Sequence, residues 1–229
     1  MNRPVSTVGF FGDSFCQDIC NPHSREHHYE TYLQIVRDHW QAEICCVGRG
    51  GSSAWDLVLL QWPQQLVQCV PDVCVMVWPD YHRLFDRQCR NINWRSSQYV
   101  QTPQHEAARA YYQHLYDDEK HLREYQALLY HFDCVHLTQY PRTRFIHLWS
   151  FGEISEDQSQ RVYVHEWQQG VTILPALETL SLAPHHTELP EQDPRANHIA
   201  GRAANQWIAD QIIQAVEQYP QPEVDSTRG

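Results

Sequence analysis

Pro71-Asp72-Val73-Cys74-Val75-Met76-Val77-Trp78-Pro79 is the stretch whose pattern decides the fold. Val73 to Trp78 is apolar without a break and is bounded by Pro71 and Pro79. A strand with one wet face alternates polar and apolar residues, whereas a continuous run marks a strand buried on both faces, as at the centre of a parallel sheet. Toward the N-terminus the chain alternates in the way such a sheet requires. Val5 to Phe11 and Glu43 to Val47 read as strands, and Ser24 to Trp40 reads as a helix with Tyr29, Leu33, Val36 and Trp40 at 3–4 spacing. Trp55 to Val70 reads as a second helix opened by a Ser53–Asp56 capping box, which Pro63 kinks or restarts.

Toward the C-terminus the polar stretch 80–103 reads as a loop over the active edge. A long helical pattern follows through Ala108, Tyr111, Tyr112, Leu115, Leu122, Tyr125 and Leu129. Asp133 to Leu137 and Arg144 to Leu148 compete for the fourth strand, and Gly170 to Leu174 is the candidate fifth. Ile199 to Tyr219 is expected to close the fold as a helix, leaving 220–229 as a tail. Strands alternating with helices predict a mostly parallel sheet covered on both faces, with ligands beyond the carboxyl ends of its strands. Length suits one domain, residues 1–219, with 80–132 as an elaboration.

A net charge of −11 and the lack of any Lys/Arg run argue against a nucleic-acid partner. No run of about twenty apolar residues would span a membrane, and no basic-then-apolar leader opens the chain, so a cytoplasmic, unprocessed protein is the expectation. Eight cysteines without a C-x-x-C pair read as reduced, mostly buried thiols, Cys45, Cys46, Cys74 and Cys134 lying in strand-like runs. Of fifteen histidines, His23 and His27 stand at i, i+4 and His27-His28 and His185-His186 are adjacent pairs, but none sits in H-E-x-x-H, and solvated side chains rather than a metal site are expected. In Gly48-Arg49-Gly50-Gly51 the third glycine of a dinucleotide fingerprint would fall at Ser53, so no nucleotide cofactor is expected. Asp117, Asp118 and Glu119 read as a solvated face in mid-helix, and Tyr111 and Tyr112 as packing residues.

Two fragments carry chemistry. Gly12-Asp13-Ser14 stands at the end of the first strand, and Asp193-Pro194-Arg195-Ala196-Asn197-His198 stands before the last helix. A hydroxyl becomes a nucleophile at neutral pH when an imidazole takes its proton, and a carboxylate commonly orients that imidazole. Ser14, His198 and Asp193 fit those three roles.

These residues resemble the SGNH hydrolases, the GDSL lipase/esterase family, along the whole chain. The resemblance implies a three-layer α/β/α fold with a flavodoxin-like, mostly parallel five-stranded sheet. It also implies a serine esterase with Ser14 as nucleophile and no cofactor or metal. Gly48, Gly51 and Ser53 match the family's G-x-x-G-x-S/T block, which implies that the backbone N–H groups of Ser14 and Gly51 bind the oxyanion. The third block, G-x-N-D in the family, reads Val77-Trp78-Pro79-Asp80 here, so the asparagine donor is missing. Asn91, Asn93 and Arg83 are the candidate replacements, and Asp80, Arg83 and Trp78 the candidate substrate contacts. Asp193 precedes His198 by five residues, where the family spacing is D-x-x-H.

The implied substrate is a small-molecule or carbohydrate ester: an O-acetylated carbohydrate, a short acyl ester, a thioester or a lysophospholipid. The alternative is a weak or inactive carbohydrate-binding or structural module of a larger assembly. An oligomer is compatible with either.

Overall fold

The computed structural model describes residues 4–17, 30–89, 91–151, 167–168, 170–173, 176–177, 199 and 201–218. Five strands, β1 (Thr7–Phe11), β2 (Glu43–Cys46), β3 (Val73–Trp78), β4 (Arg144–Trp149) and β5 (Val171–Thr172), form one parallel sheet in the order β2-β1-β3-β4-β5. That is the doubly wound order in which the winding reverses between β1 and β3, opening a crevice at their carboxyl ends. The register pairs Phe11 with Met76 and Trp78 with Trp149, so Gly12 and Pro79 leave the sheet at its centre.

β3 and β4 are buried along their whole length, as the proline-bounded run predicts. Their residues divide by parity between two cores. Val73, Val75, Val77, Ile146 and Leu148 join Leu33 and Val36 of α1 (Tyr32–Trp40) and Ile208 and Ile212 of α7 (Gly201–Gln218). Cys74, Met76, Trp78, Phe145 and Trp149 face Leu57, Trp62, Leu129 and Phe132 on the opposite side. One layer is mainly aliphatic and the other is richer in aromatic rings, with Trp62 edge-on to Phe11 at 5.3 Å.

Three predicted helices are corrected, and the open choice of fourth strand is decided. Of the helix expected over 24–40, residues 24–29 lie outside the described residues, and the described helix begins at Tyr32. Thr31 is extended and forms a reciprocal capping box with Gln34, so the helix cannot continue through it. The helix expected over 55–70 is α2 (Ala54–Asp56), a π turn (Leu57–Gln61) and α3 (Trp62–Gln68). Pro63 lies in the first turn of α3; without an N–H it cannot continue the upstream hydrogen-bond ladder. The pattern through 108–129 is two helices joined at Leu115–Asp117, with α4 (Trp94–Ser97) a single turn in the preceding loop, α5 Pro103–His114 and α6 Asp118–His131. The acidic cluster makes that break. Asp117 caps α6 by accepting from Lys120 N, and Asp118 and Glu119 meet the positive end of its dipole. Asp133 to Leu137 is helical, not a strand, and Arg144–Trp149 takes the fourth position.

The described cysteines are free, with Cys16 and Cys74 buried and the others partly so. Burial pushes the Cys16 thiol well up, consistent with a small apolar packing group. No helix among the described residues is long and apolar enough to cross a membrane.

Candidate active site

At the end of β1 the chain must turn away from β3 at close range. Gly12 does so at φ +150, where a Cβ would lie 2.2 Å from the Val77 carbonyl oxygen. Asp13 then starts a single 3-10 turn, Ser14–Cys16, by accepting from Phe15 N at 3.1 Å. Its Oδ1 also accepts from Ser150 Oγ at 2.9 Å, and its Oδ2 lies 3.0 Å from Arg83 Nη1. The carboxylate is fully buried, and a buried charge persists only when paired and hydrogen-bonded. Asp13 therefore fixes the half-buried Ser14 against β4 and the loop after β3. Tyr32 OH reaches Phe15 O at 3.0 Å, while Asn205 of α7 accepts from Tyr32 N at 2.9 Å, bracing the turn from the other side.

The second turn, Gly48 to Ser53, lies alongside. Gly48 N donates to Cys16 O and Arg49 N to Gly12 O, at 2.9 and 3.0 Å. Gly51 has φ +76, and a Cβ there would stand 2.7 Å from Asn91 Cβ. Ser53 caps α2 through Asp56 N, as the capping box predicts. The Asp56 carboxylate turns instead to Ser52 Oγ, 2.6 Å away.

One side chain locks the two turns together. Gln61, at the end of the π turn, accepts from Gly12 N at 3.1 Å and donates to Gly12 O at 2.9 Å. Its Nε2 also lies 2.9 Å from Ser52 Oγ and 3.0 Å from Asp56 Oδ2. Ser52, Asp56 and Gln61 are all buried, so this network is held in a low dielectric and fully committed. Among the described residues, the N–H groups of Ser14 and Gly51 donate to nothing.

After β3, Pro79 occupies the position where a side-chain amide was sought. Trp78 is fully buried: its Nε1 donates to His147 Nδ1 at 3.2 Å and its ring stacks on Trp167. It is a core residue rather than an open substrate contact. Asp80 accepts from His82 N at 2.9 Å and from the His82 ring at 2.6 Å, while the far ring nitrogen lies 3.1 Å from Asp118 Oδ1. Tyr81 and Tyr116 hydroxyls also donate to Asp118, and Tyr112 OH to the His82 carbonyl. Burial opposes ionisation of both Asp80 and His82, yet their mutual hydrogen bond and charge prevail. Asp80 is held below the ordinary carboxylate range and His82 above the ordinary imidazole value.

Arg83 follows at once. Its Nη1 donates to Ser52 O at 2.8 Å and faces Asp13, and its guanidinium carbon stands 5.0 Å from the Phe151 ring centroid. The side chain is 8% exposed. It lines a pocket of ≈ 230 Å³ with Ala54, Trp55, Asp80, Tyr81 and Tyr125 among its other walls.

Asn91 and Asn93 are engaged elsewhere. Asn93 Oδ1 caps α4 through Ser96 N and its Nδ2 donates to Asn91 Oδ1, while Asn91 N donates to Gly51 O at 2.7 Å. His198 and Asp193 lie outside the described residues, as do His23, His27, His28, His185 and His186. Among the described residues no group of three His, Cys, Asp or Glu is placed to hold a metal.

The structure thus brings Ser14, Gly51, Asp80 and Arg83 to the carboxyl ends of β1, β2 and β3. Sequence reasoning missed Gln61, Ser150 and the structural role of Asp13. Gln61 left a trace: it is the polar residue in Leu57-Val58-Leu59-Leu60-Gln61-Trp62, an amide in an apolar helix run.

No family model and no curated protein matches this chain. Among solved structures, a GDSL-like lipase from Parabacteroides merdae ATCC 43184 superposes with a TM-score of 0.52 at 14% identity, over 94% of this chain and 97% of that one. A carbohydrate esterase whose active site displays divergent catalytic and non-catalytic binding functions gives a TM-score of 0.46 at 15% identity, over 96% and 70%. An acetyl xylan esterase from the rumen bacterium Butyrivibrio proteoclasticus gives 0.36 at 12%, over 93% and 64%. At 14% identity the superposition on the GDSL-like lipase shows the fold alone. The chain has the three-layer α/β/α fold of the SGNH type, with a parallel five-stranded sheet, and in structure it resembles the GDSL-like lipase.

Proposed function

We propose that the protein is a serine esterase of the SGNH type that cleaves an ester through an acyl-serine intermediate. The observation that carries this reading is the strand-end pair of turns. Ser14 and Gly51 stand at the switch point of the sheet on backbones fixed by Gln61, with their N–H groups unused among the described residues.

In this mechanism His198 takes the Ser14 proton as Oγ bonds to the acyl carbon. The carbonyl π pair moves onto oxygen, where the N–H groups of Ser14 and Gly51 meet it. Collapse of the tetrahedral species expels the alcohol, which receives the proton from His198. Water, deprotonated by the same imidazole, then releases the acid and restores Ser14. Asp193 orients His198. The pocket beside Arg83 receives one side of the ester. Trp55 and Tyr81 offer aromatic faces and Asp80 a carboxylate, a mixture suited to a carbohydrate or a short acyl group.

The test is labelling with a fluorophosphonate probe, read by intact mass, on the wild type beside Ser14→Ala and His198→Ala. One adduct, lost in both variants, is expected, together with a fall in ester hydrolysis of about 10³-fold or more. Pro79, where the resemblance calls for asparagine, favours a second reading: a carbohydrate-binding module of SGNH fold without hydrolysis. A folded wild type that takes no label would replace the first reading with this one.

A further inference from the structure

We infer that Arg83 is a catalytic residue, its guanidinium donating a hydrogen bond to the acyl oxygen as charge develops there, in place of the side-chain amide that Pro79 cannot supply. This rests on the esterase reading above and extends it to a donor outside the residues already given a role in catalysis.

Position comes first. Arg83 leaves the same strand end as Pro79, and its Nη1 binds Ser52 O, one residue from Gly51, and faces Asp13, one residue from Ser14. The guanidinium is thus anchored to both turns that carry the backbone donors.

Capacity follows from the chemistry of the group. A guanidinium has five N–H donors in a planar fork. Nη1 serves the two turns, whereas Nε and Nη2 donate to nothing among the described residues, and the side chain lines the pocket. The side chain is 8% exposed, yet Nε and Nη2 are not among the buried unpartnered atoms, so these donors keep solvent contact and stay available to a ligand that displaces water from the pocket. Phe151 beneath the group and Asp13 beside it hold its plane, so it need not reorganise during the reaction.

Charge selects the kind of occupant. Asp13 already balances Arg83, and Asp80 adds a carboxylate to the same pocket, so a ligand that arrives as an anion finds no net positive field. A neutral ester finds donors whose interaction strengthens only as its oxygen becomes negative, which is the differential binding that raises kcat. Of the competing amides, Asn93 is committed, its Oδ1 to the α4 cap and its Nδ2 to Asn91 Oδ1; Asn91 keeps a free Nδ2 among the described residues but is exposed, so it lacks the buried, pre-set position of Arg83.

The experiment compares wild type, Arg83→Ala and Arg83→Lys for fluorophosphonate labelling rate, for kcat and KM on p-nitrophenyl acetate, and for thermal midpoint. Arg83→Ala is expected to lose about 10²–10³-fold in kcat with KM within about threefold. Millimolar guanidinium chloride is expected to restore part of that loss in Arg83→Ala and none in wild type. An Arg83→Ala protein that folds and keeps kcat within a few fold overturns the inference, as does a loss confined to KM, or a kcat loss that guanidinium does not relieve. If Arg83→Ala does not fold, Arg83→Lys decides. It keeps the Asp13 pair but not the fork, so a tenfold or greater kcat loss at unchanged KM supports the assignment and an unchanged kcat overturns it. A wild type that neither labels nor hydrolyses the ester defeats the esterase reading itself, whereas a labelled wild type with an indifferent Arg83→Ala defeats only the role of Arg83.

Discussion

Gln61 and Arg83 bind the same two turns by different physics. Gln61 works from inside the aromatic core, uncharged and 2% exposed, and each of its amide atoms meets a partner on Gly12, Ser52 or Asp56. Arg83 works from the pocket, charged, joined to Asp13 and the Ser52 carbonyl, with donors to spare. A saturated neutral clamp can only hold, while a charged clamp with open donors can hold and also meet a ligand. On the proposed reading the difference separates stability from chemistry at one site, and substitutions should separate them too.

The largest effect is expected from Gln61→Leu, which leaves the Gly12 N–H without a partner in a dry environment and takes one contact each from Ser52 and Asp56, which keep their mutual hydrogen bond. At about 1–3 kcal/mol for the unsatisfied group and about 1 kcal/mol for the lost bonds, a loss of about 2–4 kcal/mol in urea denaturation is expected, with activity falling alongside. Loss of activity at unchanged stability would break the assignment of Gln61 as a holding group. Gly51→Ala comes next. Its φ of +76 and the approach of Asn91 predict about 1–3 kcal/mol of destabilisation, and the displaced N–H predicts a kcat loss beyond what unfolding explains. A thermal melt beside the kcat of the folded fraction checks both. Phe151→Leu keeps the bulk under Arg83 and removes the ring, so about 0.5–2 kcal/mol of cation–π attraction is at stake. Here the melting temperature should move little and kcat more, the reverse of the Gln61 pattern.

The smallest effect concerns the half-exposed latch of Asp80, His82 and Asp118 that ties the Arg83 loop to α6. His82 is raised in the fold, so its contribution is complete below about pH 6.5 and is lost as pH rises through the folded value. Asp80 and Asp118 are depressed, so theirs is complete above about pH 4 and is lost as pH falls through their folded values. Wild type minus His82→Gln should show an advantage under about 1 kcal/mol near pH 5, shrinking toward alkaline pH and at high salt. An advantage that grew with pH would mean that His82 acts there as a neutral group.

Much of the frame was legible because it is local. The proline-bounded apolar run gave β3 to the residue, and Val5 to Phe11 and Glu43 to Val47 each came within two residues of a strand. Two misread boundaries were ones that a single polar side chain decides. Thr31 and Asp117 set helix starts inside longer amphipathic patterns, and Asp133 to Leu137 carries strand-like residues yet extends α6. At the candidate site, the strand-end turns that hold Ser14 and Gly51 were readable from turn chemistry. Gln61 and Arg83 were harder, because their meaning depends on partners 49 and 31 residues away that only the folded sheet brings near.

The register shift between Val8 and Gly9 and the two-residue length of β5 bear on how the molecule meets its own copies. β2 and β5 bound the sheet among the described residues. One is paired through an irregular ladder and the other is too short to template a neighbour. A sheet whose centre is this apolar would be an aggregation hazard with long, flat margins; with these margins it gives an incoming strand little to extend.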